Sequence, residues 1–241
     1  MPELPEAIYE KPPKIRTKPS LTAIFRNAAQ IPTDVNADIK ALPLEAYTSA
    51  ANAVVLPPVI YDSDVPKVTE ALNKAKADGA KYALLGNIGH IAIAQSTGLE
   101  MIGTFRFNIQ NGENCRVLLD SGLKEVTLSP ELILPQIRDI VSRYPASVIT
   151  YGRIPVMLLE KPIGTNTLTD RTGARFPVIK EGERDVLLNS VATSMLGDAQ
   201  KKKLREVGVT RRTYLLTVEP RETVKRIMSG EEVPGEYRII K

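Results

Sequence analysis

The 241-residue chain contains one cysteine, Cys115, one histidine, His90, and no tryptophan. A single cysteine excludes an intrachain disulfide and any zinc or iron–sulfur site built from cysteines. A single histidine excludes a multi-histidine metal site, and it leaves a cysteine–histidine dyad without further histidines to support it. No run of about 18 apolar residues occurs, so no membrane contact through a span is expected. The opening segment, MPELPEAIYEKPPKIRTKP, has no apolar signal core, so a cytoplasmic protein is expected. Chemistry is therefore left to carboxylates, Arg, Lys, Tyr, Ser and Asn, or to the lone histidine and cysteine, and neither metal nor cofactor is expected.

What is present has a globular balance, 43% hydrophobic and 25% charged, over a length that suits one large α/β domain or two small ones. Pro2, Pro5, Pro12, Pro13 and Pro19 mark residues 1–20 as a proline-rich arm or linker, leaving 21–241 for the folded domain. The net charge of +4 is uneven. From Lys201 to Arg226 nine basic residues face three acidic ones, so this segment is +6 and the remainder −2. Such a segment offers a face to RNA or an acidic partner chain, or is simply a solvated helix surface, since no aromatics interleave with the charges.

Residues 126–164 carry the clearest architectural signal. Two β-branched apolar runs each end in a polar cluster, Ser129-Pro130-Glu131 and Tyr151-Gly152-Arg153. Between them Leu134, Ile137, Ile140 and Val141 have the spacing of one buried helical face. Strands are expected at 21–25, 39–44, 53–61, 82–86, 101–107, 125–128 and 147–151. Helices are expected at 65–78, capped by Asp64 and stopped by Gly79, and at 88–97, 112–121 and 134–144. The strand starts at Tyr82, Met101, Glu125 and Ser147 lie 19, 24 and 22 residues apart. That beat is what parallel strands with helical crossovers require, and it favours an α/β fold, a (βα) barrel or partial barrel. The beat breaks after Gly164. LTDRTGARFPV reads as a hairpin around Asp170-Arg171-Thr172-Gly173, giving a small β-rich insertion near 165–190. A strand at 185–189, a basic helix at 198–207, a strand at 213–218, a helix at 220–228 and a short strand at 237–240 follow.

A barrel gathers the residues at its strand ends around one mouth. On that rule Glu131, Tyr151 and Arg153 are candidate catalytic groups: general base, proton donor and anion clamp. The alternative is that Glu131 and Arg153 merely pair to close the barrel end. Asn87, Arg106, Asn108 and Ser129 are candidate substrate contacts, and Arg106 with Arg153 is a candidate small-anion site. His90, in GNIGHIAIA, is a base or anion contact at a helix start, or a residue that bonds nearby backbone. Cys115 lies in a helical pattern beside Val117 and Leu118, as an inert buried thiol would.

The phrases GNIGHIAIA, GTFRFNIQN, VTLSPELILPQIRDI, VITYGRIPVMLLEKPIG, LTDRTGARFPV and LLNS, in this order, resemble the collagenase-like peptidases, peptidase family U32. The likeness covers roughly residues 21–190 and is to the carboxyl-terminal half of long bacterial members. It implies a TIM-barrel-like fold and a nominal hydrolase of peptides or proteins. It also adds Asp170 and Arg171 to the substrate-contact set. Related members take part in hydroxylation of RNA bases or ubiquinone precursors and are expected to hold an iron–sulfur cluster on four cysteines. Those cysteines would fall beside Lys161-Pro162, as a pair between Asn166 and Leu168, and near Glu183-Arg184, where this chain has none. The resemblance thus leaves two readings: a peptidase with its site at the barrel mouth, or a noncatalytic RNA-binding or partner subunit.

Overall fold

The computed structural model describes residues 12–235 and 237–240. Pro2 and Pro5 of the expected arm lie outside that range. Residues 12–19 form no helix or strand; the Ile15 N–H donates to the Ser142 carbonyl at 2.9 Å, and the Thr17 and Thr210 hydroxyls are 2.6 Å apart.

Eight parallel strands close on themselves. They are β1 (Ser20–Phe25), β2 (Ile39–Pro43), β3 (Ala53–Val55), β4 (Tyr82–Leu85), β5 (Glu100–Gly103), β6 (Leu123–Thr127), β7 (Ala146–Gly152) and β13 (Arg211–Leu216), with β13 pairing both β7 and β1. The fold is an α/β, TIM-barrel-like barrel. Its strands are buried on both faces, which is why they read as apolar runs and not as alternations; in β7 every residue is buried. Helices α1 (Val65–Ala77), α2 (His90–Thr97), α3 (Gly112–Asp120) and α4 (Leu134–Val141) make the middle crossovers. Apolar stripes turn inward on α1, through Val68, Leu72 and Ala75, and on α4, through Ile137, Ile140 and Val141, while α2 buries His90, Ala94 and Thr97. The first two crossovers hold only 3-10 turns, Ala28–Gln30 and Leu44–Ala46.

Two expected strands are shorter than their sequence suggests. The run from Ala53 stops at Val55, because Pro57 and Pro58 cannot donate to a ladder. The run from Met101 stops at Gly103. Phe105–Phe107 is a 3-10 turn, and Asn108 leaves it in a left-handed conformation with φ +50°.

After β7 the chain makes an antiparallel sheet in the order β8 (Pro155–Leu159), β11 (Arg184–Leu188), β10 (Arg175–Glu181), β9 (Thr167–Thr169). The expected hairpin is there, with Gly173 at φ +87° in its turn. The sheet starts earlier than the insertion near 165–190, at Pro155. A short strand that the sequence does not announce, β12 (Ala192–Ser194), then returns to pair antiparallel with the upper part of β7. Helix α5 (Asp198–Glu206), β13, helix α6 (Arg221–Met228) and β14 (Tyr237–Arg238) complete the chain, with β14 alongside β12.

The barrel lumen is apolar through Ile39, Ala41, Ala53, Leu84 and Ile102. At its base Arg211 is bonded to the buried carboxylate of Glu125. Beside them the Ser147 hydroxyl lies 3.0 Å from that of Thr127 and 3.1 Å from that of Thr213.

Candidate active site at the barrel mouth

At the carboxyl end of the strands, under the antiparallel sheet, lies a cavity of about 280 Å3. This is the end of a βα barrel where loops converge and sites form. Its walls come from the ends of β1, β2, β3, β4, β7 and β13, from Thr104, Phe105 and Arg106 after β5, and from β10 and β11 above. The charged residues along it are Arg26, Glu45, Arg106, Arg153, Lys180 and Glu181.

Arg106 and Glu181 form the bond between barrel and lid, with Nη2 3.2 Å from Oε2. Gly86 makes room for it: a Cβ there would stand 3.0 Å from Arg106 Cδ. Burial pushes the Glu181 carboxyl up from its ordinary value; Arg106 pulls it back and the charge of Glu45 pushes it up again. The lid is also fixed at its tip. The Arg184 Nε and Nη2 donate to Glu160 at 2.7 and 3.0 Å, and its guanidinium lies 5.4 Å from the centre of the Tyr61 ring in the loop after β3.

Arg153 lines the same cavity. Its Nη1 donates to the Asn189 carbonyl at 3.0 Å and also to that of Ser190, while its Nε is buried with no partner among the described residues. Thr104 and Thr217, also on the wall, bury hydroxyls in the same condition.

The remaining candidates lie elsewhere. Glu131 is exposed beside Gln110, whose side-chain amide reaches it at 3.4 Å and Asn108 at 3.2 Å. It neither pairs with Arg153 nor lines the cavity, and the cause is β12. The lower part of β7 pairs with β6, but at Tyr151 and Gly152 that edge is taken by β12. The chain after β6 instead stays with the β5 side, through the bridge between Leu128 and Ile109. Ser129 is buried along this seam, its Oγ accepting from the Glu131 N–H at 3.4 Å.

Tyr151 faces away from the cavity. Ser147, Ile149 and Tyr151 would share one face of a regular strand. The pairing with β13 shifts after Ile149, so Thr150 is an extra residue and Tyr151 sits opposite Tyr214. Tyr151 joins the buried cluster of Phe25, Leu196, Tyr214 and Val224, and its hydroxyl donates to Glu219 at 3.4 Å. Burial raises its hydroxyl well above the ordinary tyrosine value. Gly152 completes the bulge: at φ +132° a Cβ would stand 2.3 Å from the Leu215 carbonyl oxygen.

Asn87 is exposed and accepts from the Gly89 N–H at 2.9 Å. His90 is buried, with Nδ1 accepting from the Gly86 N–H at 3.3 Å, so it bonds the backbone of the mouth; burial lowers it to about 4. Asp170 accepts from the N–H groups of Thr172 and Ala174, shaping the exposed hairpin turn that also carries Arg171. Cys115 is buried on α3 and pushed up to about 12 by that burial. The basic segment is divided among α5, β13 and α6. Within it Lys201 donates to the Gly230 carbonyl at 2.8 Å, Arg211 is held by Glu125, and Arg226 lies 3.0 Å from Glu231.

Strand-end reasoning missed Arg26, Glu45, Lys180 and Glu181. Arg26 and Glu45 follow β1 and β2 as directly as Arg106 follows β5, so the same rule applied to the earlier strands finds them. Nothing local marks Glu181, which reaches the mouth only because the hairpin folds back.

A closed parallel barrel with a lidded mouth defines a broad class of small-molecule and peptide sites. The sequence profile of peptidase family U32 matches residues 40–175, and the chain belongs to that family. The match spans β2 to the first residue of β10, so it includes Glu45, Arg106 and Arg153 but not Glu181. Among solved structures the chain is similar in fold to the putative copper homeostasis protein CutC from Streptococcus agalactiae. The TM-score is 0.50 at 11% identity, over 81% of this chain and 98% of that one. A more distant likeness is to the spore cortex-lytic enzyme SleL of Bacillus megaterium QM B1551, with TM-score 0.41 at 12% identity over 96% and 76% of the two chains. No match was found among curated protein sequences.

The positions that the iron–sulfur cysteines of related members would take all fall in the lid. Here they hold Lys161-Pro162, Asn166 to Leu168 and Glu183-Arg184, with no thiolate, and Arg184 is committed to Glu160. These residues do not fit such a cluster. Among the described residues no three His, Cys, Asp or Glu side chains are grouped to hold a metal ion, and no helix is long and apolar enough to cross a membrane.

Proposed function

We propose that this U32 family member is a hydrolase that takes a peptide into the barrel mouth, with Glu181 as the proton-moving group and Arg106 and Arg153 as the cations that hold the substrate. The carrying observation is that a half-buried carboxyl, pushed up by burial, and two arginines from distant strands line one cavity. The reaction needs one water. Its oxygen adds to the peptide carbonyl carbon as Glu181 accepts its proton; the C–N bond then breaks and Glu181 returns the proton to the leaving nitrogen. An arginine beside the carbonyl offsets the charge that develops on its oxygen. Glu131 is not part of this scheme.

The test is turnover of denatured collagen and short peptides by the purified chain and by Glu181→Gln. A general acid–base contributes about 100-fold or more, so the variant should fall by at least that factor while remaining folded. Equal turnover by both would overturn the assignment of Glu181.

A further inference from the structure

The mouth cavity has a composition that narrows what it takes, provided that the mouth is the working site, as proposed above. Much of its lining is hydrocarbon, from barrel and lid alike: Ile24, Val55, Ile179, Val186, Leu188 and Leu215. Set among these residues is Arg153, half-buried at the end of β7.

The charges agree. Arg106 is matched by Glu181 and Lys180 by Asp185, at 3.2 and 3.1 Å. Arg153 and Arg26 have no carboxylate partner among the described residues, and the contacts of Arg153 are neutral carbonyls. A planar guanidinium without a carboxylate partner suits a carboxylate. The shape adds a further constraint. The lid sheet lies across the mouth and is fastened to the barrel through Arg106–Glu181 and through Tyr61, which meets both Arg184 and Glu160 of the sheet edge. An extended chain running through would have to leave on both sides of these fastenings, whereas a chain end needs one entrance.

We infer that the cavity recognises a free carboxylate attached to an apolar side chain, so that its peptide substrates enter by their carboxyl terminus. Arg153 takes the carboxylate, and the hydrocarbon lining takes the side chain. A phosphate group would satisfy the same donors but would leave that lining unused.

Titration calorimetry on the full chain tests this without requiring turnover, using N-acetyl-leucine, N-acetyl-leucine amide, and the tripeptide Ala-Ala-Leu as acid and as amide. Hydrogen bonds to a charged group are worth enough that the acids should bind about tenfold or more tightly than the amides. Arg153→Met should remove most of that preference. Because Arg153 also braces the turn at Asn189 and Ser190, Arg26→Met, on an exposed residue, provides a second variant and should reduce acid binding without changing the melting temperature. Binding of the tripeptide acid but not of N-acetyl-leucine would assign the site to peptide ends; the reverse would assign it to free small acids and overturn the peptide part. Equal binding of acids and amides, or binding of neither, overturns the inference. Acid-selective binding without any peptide cleavage would leave the inference standing and remove the hydrolase reading, whereas cleavage of amide-blocked peptides with no acid preference would do the opposite.

Discussion

The two ends of the barrel each hold one arginine–glutamate pair, yet the surroundings give the pairs opposite uses. At the base, Arg211 and Glu125 join strands of the same barrel, and Ser147, Thr127 and Thr213 complete a polar plug among themselves. At the mouth, Arg106 and Glu181 join the barrel to a separate sheet and line a cavity. The chemical groups are the same. What separates a structural plug from a site is the space beside it: the Arg211 Nε lacks a partner among the described residues just as the Arg153 Nε does, but the mouth pair borders a cavity.

The largest expected effect breaks that comparison at the base. The Glu125 side chain is 4% exposed, so Arg211→Met would strand a buried carboxylate; such losses cost about 3–5 kcal/mol. At the mouth the paired side chains are 26% and 22% exposed, and water screens them, so Arg106→Met should cost no more than about 1 kcal/mol of stability. Urea denaturation of both variants at neutral pH measures the difference. Equal losses would mean that the mouth pair is as structural as the base pair.

Acid should expose a weakness that belongs to the mouth end. His90 is lowered to about 4 by burial, and its Nδ1 must stay unprotonated to accept from the Gly86 N–H. The unfolded chain, with an ordinary value near 6.5, binds the proton more readily. The stability that His90 contributes is therefore full above about pH 6.5 and is lost as pH falls towards 4, about 3 kcal/mol in all. In His90→Asn, where an amide oxygen can take the place of Nδ1, that part of the acid slope should disappear. An unchanged slope between these pH values would show that other groups control acid unfolding.

The β-α beat from Tyr82 to Tyr151 was legible because its strands are buried apolar runs and α4 has a stripe of apolar residues. Strand-end reasoning also brought together Arg106 and Arg153, which lie 47 positions apart in the chain yet line one cavity. It failed at Tyr151, a strand-end residue that turns away from the cavity. A bulge adds one residue and reverses every side chain beyond it, and its only trace is Gly152, a residue with many other uses. The insertion of β12 against β7 was equally hidden. Its three residues have no pattern of their own, yet they decide that Glu131 and Arg153 part company.

That separation yields the smallest expected effect, and it sharpens the contrast between the two carboxylates. The sequence offers Glu131 as the candidate general base, since it follows the strand at 125–128. In the fold it is exposed, its side-chain contact is the amide of Gln110, and β12 stands between its loop and the end of β7. Removing an exposed charge in such a place costs at most about 0.5 kcal/mol. Glu131→Gln should therefore keep wild-type stability in urea and, in the peptide assay that Glu181→Gln fails, wild-type turnover. A loss of turnover in Glu131→Gln as deep as that in Glu181→Gln would move the site out of the lidded cavity and onto the far side of β12.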